Sequence, residues 1–503
     1  MKSFLTNNWL LVAIVLLAAV LHFWQLGKVP QSLNWDEASN AYNAYSILKT
    51  ARDEYGNFLP LTIKSFGDYN PAMSVYTLVP SLAIFGATQF AVRFPSAFLG
   101  TLTVLCTYFL VVKLTANKKI ALLSSFFLAI SPWHLQFSRY DHEANFMISF
   151  AIIGFTILIY TLKKKKQALM LTTSAVFFGL ALNSYQGSKI WIPLFILLVA
   201  LFYLKELSKI WKKLLVPSVI LFLFTLPILL NFQKSLIRGQ SVGILQDKTP
   251  AETFITGYLS HFAPRFLFAQ GDDNGRHSVP GMGEEYIFEL PLIVLGLIYA
   301  VKSKEKGLKF LLLWLLIAPI PPSIATPTPH ALRALTFIPL WSIFAAIGTY
   351  VLLKVATKRT AKYIVLAILV IVASYNILTY FHLYYIHYPK EKAPDWQDGY
   401  QEMVQYINSQ KDDYEVVAVT TYYGRPYIFV LFYSQYDPAK YQKQSENKDK
   451  FDKFEFFGQS WDKKVSGPAL VVRPAWQKPN PPPKYLKDIK NATGEVVFKI
   501  SSE

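Results

Sequence analysis

The chain of 503 residues is 53% hydrophobic and only 16% charged, whereas about 25% of residues are charged in soluble domains, so a purely soluble protein is excluded. Its net charge of +18 does not indicate nucleic-acid binding, because most lysines and arginines stand in short clusters between apolar runs. Cys106 is the only cysteine, which excludes an internal disulfide and a cysteine-based metal site.

Apolar runs long enough to cross a bilayer recur along the first 386 residues. A transmembrane helix needs roughly 20 mostly apolar residues. The first run lacks a small-residue cleavage site, so we interpret it as an uncleaved span rather than a signal peptide. The eleven predicted spans are residues 8–26, 89–112, 120–137, 146–162, 167–184, 188–204, 213–231, 286–301, 308–322, 333–353 and 363–386.

Basic residues set the predicted orientation in the membrane. With the N-terminus in the cytoplasm, every cationic cluster falls in an inner loop, as the positive-inside rule requires. These clusters lie near residues 113–119, 163–166, 205–213, 302–309 and 354–362. The outer face then receives the first loop (27–88), a long loop (232–285) and the C-terminal tail. The short apolar segment 73–86 contains Pro80, and we interpret it as an interfacial or re-entrant helix.

From about residue 388 the composition becomes that of a soluble domain. The pattern predicts a helix over residues 398–410 and short strands over residues 415–421, 469–473 and 495–500. The predicted fold class is therefore an α-helical polytopic membrane protein with a small C-terminal extracytoplasmic α/β domain. The predicted domains are residues 1–387 and residues 388–503.

Four groups of polar residues fall at the outer ends of spans, and the first contains the adjacent acids Asp36 and Glu37. Two neighbouring carboxylates cannot share one helical face, so at most one is expected to reach a reacting atom. An acid beside Trp35 at the lipid boundary suits a general base. A solvated helix N-cap with an acidic first turn, before a helix over Ala38–Thr50, accounts for the pair as well.

The second group is the short turn that contains Arg139, Asp141, His142 and Glu143. Arg139 is a candidate anion ligand, and either acid is a candidate partner for substrate. A salt-bridged loop explains these residues equally well.

The third group contains His330 and Arg333, which stand three residues apart before a predicted span. They are expected to share a helix face. Arg supplies a planar fork of donors and His a tunable one, so the pair suits a phosphate. Snorkelling of Arg333 to lipid headgroups is the alternative.

The fourth group is spread over two outer segments and is a candidate for substrate and donor-phosphate binding. The long loop contains glycines that would let it close over a membrane-derived substrate, although a mobile loop without a catalytic role fits too. Its His and Asp residues lack a recognisable metal-ligand spacing, so no metal site or cofactor is predicted, and a divalent metal remains possible. The residues are Tyr185, Gln186, Lys189, His261, Arg265, Asp272, Asp273, Arg276 and His277.

Together these patterns resemble the GT-C fold membrane glycosyltransferases, specifically family 39, which includes protein O-mannosyltransferases and bacterial aminoarabinose transferases. The resemblance covers about residues 1–386. It rests on the acidic pair Asp36-Glu37, Arg-Phe-Pro-Ser (93–96), the Ser-Pro-Trp-His turn that leads to Glu143 (131–143), and Pro-His-Ala-Leu-Arg (329–333).

The resemblance implies an inverting enzyme that transfers a sugar from a polyprenyl-phosphate donor to a hydroxyl of a protein, lipid or glycan. It implies Asp36 as catalytic base and favours Glu143 over Asp141 as the second acid. Arg139, Lys189, His330 and Arg333 would bind the donor phosphate. The candidates for substrate binding are Glu37, Asp141, His142, Tyr185, His261 and Arg265. The expected location is a prokaryotic plasma membrane, with membrane lipids as further partners and no nucleic acid.

Three alternatives remain open at this point. An oligosaccharyltransferase or polymer ligase of the same fold would use a pyrophosphate carrier, and sensitivity to chelators would favour it. A lipid or sugar transporter is disfavoured because ionisable residues are absent from the middle of the spans. A non-catalytic membrane scaffold would tolerate separate loss of Asp36, Glu143 and Arg333.

Overall fold

The computed structural model describes residues 8–162, 167–231, 243–244, 247–444, 450–461 and 465–503. The predicted cationic cluster at 163–166 and the start of the predicted loop 232–285 lie outside these residues.

The helices follow one another along most of the chain. In chain order they are α1 (Trp9–Phe23), α2 (Trp35–Thr50), α3 (Met73–Phe85), α4 (Gln89–Thr115), α5 (Lys118–Ile130), α6 (Pro132–Ser138), α7 (Glu143–Thr161), α8 (Ala168–Leu182), α9 (Ser188–Phe202), α10 (Leu204–Ser208), α11 (Trp211–Leu230), α12 (Pro250–Ser260), α13 (Glu289–Lys302), α14 (Lys306–Ile317), α15 (Ile320–Ser323), α16 (Leu340–Val355), α17 (Arg359–His382), α18 (Tyr388–Glu391), α19 (Tyr400–Gln410), α20 (Pro426–Tyr433) and α21 (Pro438–Tyr441). The strands are β1 (Thr62–Ser65), β2 (Asp68–Pro71), β3 (Val416–Thr420), β4 (Lys450–Phe451), β5 (Phe454–Phe457), β6 (Ala469–Pro474), β7 (Lys484–Lys490) and β8 (Val496–Ser502).

Apolar helices account for the multi-pass membrane character of the chain. Each predicted span contains a helix. Among the described residues, five helices are long and apolar enough to cross a membrane, and a bent pair gives a sixth. α11 has only 6% of its apolar window buried, which is expected of a helix that faces lipid. Five further apolar helices have 10–17 residues, so the count of eleven spans stays a prediction.

Two helices differ from the predicted spans because of proline. The predicted span 120–137 consists of α5 and α6, which are bent by 59° at Ser131, the residue before Pro132. A residue before proline is disfavoured in the α conformation, so the helix breaks there. The helix in the predicted span 333–353 begins later than predicted, because α16 starts at Leu340 after Pro339.

The chain divides into two compact units. The first comprises Met1–Trp24, Phe66–Met73 and Ser96–Leu383, and the second comprises Gln25–Ser65, Ser74–Pro95 and Tyr384–Glu503. The predicted domain boundary between residues 387 and 388 stays a prediction.

In the first unit, α13 and α16 pack closely through two glycines. A Cβ on Gly348 would collide with the carbonyl oxygen of Leu292, and a Cβ on Gly296 would collide with that of Phe344. Small residues allow such backbone approach between helices in a membrane.

Gly348→Ala is therefore expected to destabilise this helix pair by about 1–3 kcal/mol, the usual cost of overpacking a core. Thermal unfolding in detergent should show a lower Tm for this variant. Gly458→Ala is the matched control, since a Cβ there meets no atom within 4 Å. An unchanged Tm for Gly348→Ala would contradict the packing.

The second unit contains a six-stranded mixed sheet in the order β4-β5-β3-β6-β8-β7. β3 pairs in parallel with β5 and β6, and the remaining pairs are antiparallel. β6 is buried along its whole length, as expected for a central strand.

The sheet confirms the predicted C-terminal α/β character. The predicted helix and three strands correspond to α19, β3, β6 and β8. The pattern missed β4, β5 and β7. β7 contains three lysines and is mostly exposed at the sheet edge, so it lacks the alternation of a half-buried strand.

Candidate active site

Asn34 caps the helix that carries the acidic pair in the second unit. Its side-chain oxygen accepts from the N–H groups of Asp36 (2.9 Å) and Glu37 (3.1 Å), and Glu37 Oε2 accepts from the Asn34 N–H (3.1 Å). This reciprocal arrangement is a capping box. The sequence pattern placed Asp36 before a helix starting at Ala38; that placement was wrong, because Asn34 is the cap and α2 begins at Trp35.

Glu37 is held in a buried ion pair with Arg93. Arg93 Nε lies 3.0 Å from Glu37 Oε1, and both side chains are fully buried. The guanidinium also donates to three backbone carbonyls, those of Leu26, Pro30 and Ser32. Glu37 therefore anchors the helix start, and its predicted contact with substrate stays a prediction.

Asp36 differs from its neighbour because it keeps partial exposure. The backbone on its N-terminal side is fixed within the same unit, where the Trp35 N–H donates to Gln397 Oε1 (3.1 Å). Gly424, at φ +121°, approaches so closely that a Cβ there would lie 2.9 Å from the Trp35 ring. The capping box, the ion pair and these contacts hold Asp36 on a rigid helix start.

In the first unit, Arg139 is buried at the end of α1. Its guanidinium donates to the carbonyls of Leu21 (2.6 Å), His22 (3.1 Å) and Trp24 (2.7 Å). Carbonyls at the end of a helix need such partners where water is absent. The geometry gives Arg139 a structural role, and its predicted phosphate contact stays a prediction.

Arg139→Met is expected to lower the free energy of unfolding by about 3 kcal/mol, because hydrogen bonds to a charged donor are lost and the carbonyls stay buried. Thermal unfolding in detergent is the measurement, with the exposed Arg265→Met as control. Equal Tm values for the two variants would contradict the capping role.

The turn after Arg139 places His142 and Glu143 together. His142 is the N-cap of α7, and its Nδ1 accepts from the Ala144 N–H (3.3 Å) and lies 3.4 Å from Glu143 Oε2. The Tyr185 ring lies 6.2 Å from the His142 ring, so residues of two predicted groups meet here. Asp141 is buried beside them in the chain.

Lys189 stands at the start of α9 and belongs to a polar chain. Its Nζ donates to Gln186 Oε1, and Gln186 donates to the Tyr69 carbonyl. Lys189 is half-buried and stays a candidate for the donor phosphate.

Asp272 is the centre of a hydrogen-bond network in the predicted outer loop. Its Oδ2 accepts from the His277 ring (2.9 Å) and from the Ala331 N–H (2.7 Å), and lies 3.7 Å from His330 Nδ1. Burial alone would raise the pKa of Asp272, but the hydrogen bond from His277 and the nearby imidazoles lower it to about 2. The predicted third and fourth groups are thereby brought together.

His261 and His330 belong to this network. His261 Nε2 accepts from the His330 N–H (3.2 Å), while its Nδ1 contacts the Gly257 carbonyl (2.7 Å). Burial lowers the pKa of His261 to about 4, and burial with the neighbouring His277 lowers that of His330 below its usual range. The phosphate contact predicted for His330 stays a prediction.

His330 and Arg333 do not share a helix, contrary to the sequence prediction. The 3₁₀ helix Arg333–Phe337 begins at Arg333, and the preceding Pro-rich turn includes Pro327 and Pro329, which lack an N–H donor. Arg333 Nη1 donates to the Pro327 carbonyl (3.3 Å). Arg265, the last predicted contact, is exposed and donates to Gln270.

Comparisons with known proteins show a family and two solved structures to which this chain is similar. Residues 12–236 match the family described as dolichyl-phosphate-mannose-protein mannosyltransferase. The structure resembles that of ArnT from Cupriavidus metallidurans bound to undecaprenyl phosphate, with 12% identity, a TM-score of 0.58 and 98% of each chain covered. The chain has the GT-C fold. The predicted resemblance to family 39 is confirmed.

A second GT-C structure is also similar. It is the oligosaccharyltransferase of Archaeoglobus fulgidus in complex with Zn and sulfate, with 14% identity and a TM-score of 0.55. That match covers 84% of this chain but only 61% of the archaeal one. No curated protein sequence matches this chain.

The GT-C chain contains buried acids that the sequence reasoning passed over. Glu284 Oε1 accepts from the Asp272 N–H (3.0 Å), and Glu285 Oε2 accepts from the Ser131 hydroxyl (3.2 Å). Burial raises the pKa of Glu284 well above its usual range. Three glutamates within six positions at the start of a predicted span (Glu284, Glu285 and Glu289) were the available signal.

Proposed function

We propose that this chain is an inverting glycosyltransferase that moves a sugar from a polyprenyl-phosphate donor to a hydroxyl acceptor at the outer face of the membrane. The observation that carries the proposal is the difference in environment between the adjacent residues Asp36 and Glu37. The Glu37 carboxylate forms a buried ion pair with Arg93, whereas Asp36 stays partly exposed at the start of a helix that the cap holds in place. The matching mannosyltransferase family and the undecaprenyl phosphate in the ArnT structure support this donor class.

In this mechanism Asp36 accepts the proton of the acceptor hydroxyl as the new C–O bond forms. A positioned base contributes typically about 10²–10⁴-fold to such a step. The leaving group is a lipid phosphate, which is already a stable anion. No general acid is required, in contrast to glycoside hydrolases, where an alkoxide departs.

Two cations of the first unit are proposed for the donor phosphate. Lys189 is half-buried and Arg333 keeps part of its fork exposed, so both can meet an anion from solvent or lipid. Stabilising the charge that grows on the bridging oxygen lowers the barrier. Glu143, set at the N-terminus of α7 beside His142, is proposed as a second catalytic carboxylate that does not act as a proton donor.

The proposed orientation puts the N-terminus in the cytoplasm and the C-terminal sheet outside a prokaryotic plasma membrane. The cationic clusters in alternate loops support it. A lipid-linked sugar then enters laterally, and a hydrophilic acceptor arrives from the outer side. A protein, lipid or glycan hydroxyl meets this requirement.

An oligosaccharyltransferase is the second candidate, because the archaeal enzyme shares the fold. The purified protein in liposomes should be given labelled sugars on polyprenyl monophosphate and, separately, oligosaccharides on a pyrophosphate carrier. Covalent transfer from the monophosphate donor supports the proposal. Transfer from the pyrophosphate donor alone, or movement of the lipid-linked sugar across sealed vesicles without covalent change, contradicts it.

A further inference from the structure

Two histidines and an aspartate of the first unit converge in the outer loop. One side-chain ligand atom from each of Asp272, His277 and His330 lies within 4.8 Å of the others. Sequence spacing did not reveal this set, because His330 comes from a distant turn that folds back onto the 272–277 loop. We propose that these three residues bind one divalent transition-metal ion, best matched by Zn²⁺.

The separations fit a tetrahedral ion. Bonds of about 2.0–2.1 Å place neighbouring ligand atoms about 3.3 Å apart. Asp272 Oδ2 lies 2.9 Å from His277 Nδ1 and 3.7 Å from His330 Nδ1, which brackets that value. The two imidazole centroids are 4.8 Å apart. Small side-chain shifts would therefore complete three corners of the tetrahedron.

Each histidine can offer a ring nitrogen to the proposed ion. His277 is buried, and its Nδ1 lies 2.9 Å from Asp272 Oδ2. Among the described residues, His330 Nδ1 makes no hydrogen bond. If the ion binds His277 Nδ1, the ion takes the place of the proton on that nitrogen, and the proton is carried by Nε2 instead.

Further hydrogen bonds fix the orientation of the proposed ligands, as is usual for metal ligands. Asp272 accepts from the N–H groups of Asn274 (2.9 Å) and Ala331 (2.7 Å). His261 accepts from the His330 N–H. Gly271, at φ +69°, allows the turn, since a Cβ there would lie 2.7 Å from the Ser278 Cβ.

The ligand chemistry selects the ion. Two imidazoles with one carboxylate suit Zn²⁺ and similar transition metals, whereas Mg²⁺ and Ca²⁺ prefer all-oxygen sites. Three protein ligands leave a fourth position for water or a substrate oxygen. The ion would also tie the 272–277 loop to the turn that precedes Arg333. The inference does not depend on the proposed transfer reaction.

Binding is tested with Co²⁺, a coloured substitute for Zn²⁺. The full-length protein in detergent is stripped with EDTA, dialysed against Co²⁺ and then titrated with Zn²⁺. We expect one Co²⁺ per chain with the visible absorption of a tetrahedral site, and its loss on Zn²⁺ addition. His277→Gln and His330→Gln should each weaken binding by more than about 100-fold, beyond the effect of losing an outer-shell partner.

The exposed His387→Gln is the matched control and should bind as the wild type does. Wild-type protein without tetrahedral Co²⁺ would overturn the proposal and leave a metal-free Asp–His hydrogen-bond network. Equal Co²⁺ binding by the wild type and both ligand variants would overturn it as well. The wild-type spectrum decides the matter even if a variant fails to fold.

Discussion

Asp36→Asn is expected to reduce sugar transfer by about 10²–10⁴-fold, the usual contribution of a positioned general base. The amide keeps the shape of the side chain but cannot take the proton of the acceptor hydroxyl. Because Asn34, Glu37 and Arg93 form the helix cap without the Asp36 side chain, the fold should be unaffected. The measurement is the initial rate of transfer in liposomes, with Tm in detergent recorded in parallel.

Asp413→Asn is the matched control, since Asp413 is an exposed acid of the same unit. It should keep the full rate. If Asp36→Asn transferred at the rate of the wild type, Asp36 would not be the base. A lower rate with an equally lowered Tm would point to a structural role instead.

Arg93→Met is expected to lower the free energy of unfolding by about 3–5 kcal/mol, the cost of leaving one member of a buried ion pair unpaired. The Glu37 carboxylate would then remain fully buried without its counter-charge. Three backbone carbonyls would lose their donor at the same time. Chemical or thermal unfolding in detergent measures the loss.

Arg52→Met, at an exposed arginine of the same unit, is the control and should change stability little. The double variant Glu37→Gln with Arg93→Met should recover part of the loss, because no uncompensated charge stays buried. If the loss of unfolding free energy in the double variant equalled or exceeded the sum of the two single losses, the two side chains would not stabilise each other directly.

Hydrophobic runs predicted where the helices lie, because a bilayer requires long apolar segments regardless of tertiary packing. Local features shifted the details. Pro132 could have predicted the bend at Ser131, but the continuous apolar run led to the prediction of one uninterrupted span. The edge strand β7 could not be predicted, because exposed lysines hide its strand pattern.

The sequence predicted which residue types form the candidate site better than it predicted which of these residues contact one another. Residue types alone left Asp36 and Glu37 equivalent, and only the family resemblance favoured Asp36 as the base. The structure adds that Glu37 is paired with Arg93, 56 positions away. The proximity of Asp272 to His330 could not be predicted either, because the two residues are far apart in the chain. Arg139 has a structural role that its place in a polar turn did not reveal, since its guanidinium donates to carbonyls at the end of α1.

The stereochemistry of the product tests the proposed reaction most directly. A sugar of known anomeric configuration on polyprenyl monophosphate is transferred by the reconstituted protein, and the anomeric proton of the product is examined by NMR. Single displacement by an acceptor hydroxyl deprotonated by Asp36 predicts the opposite configuration in the product. A product with the configuration of the donor would show two displacements and contradict the account.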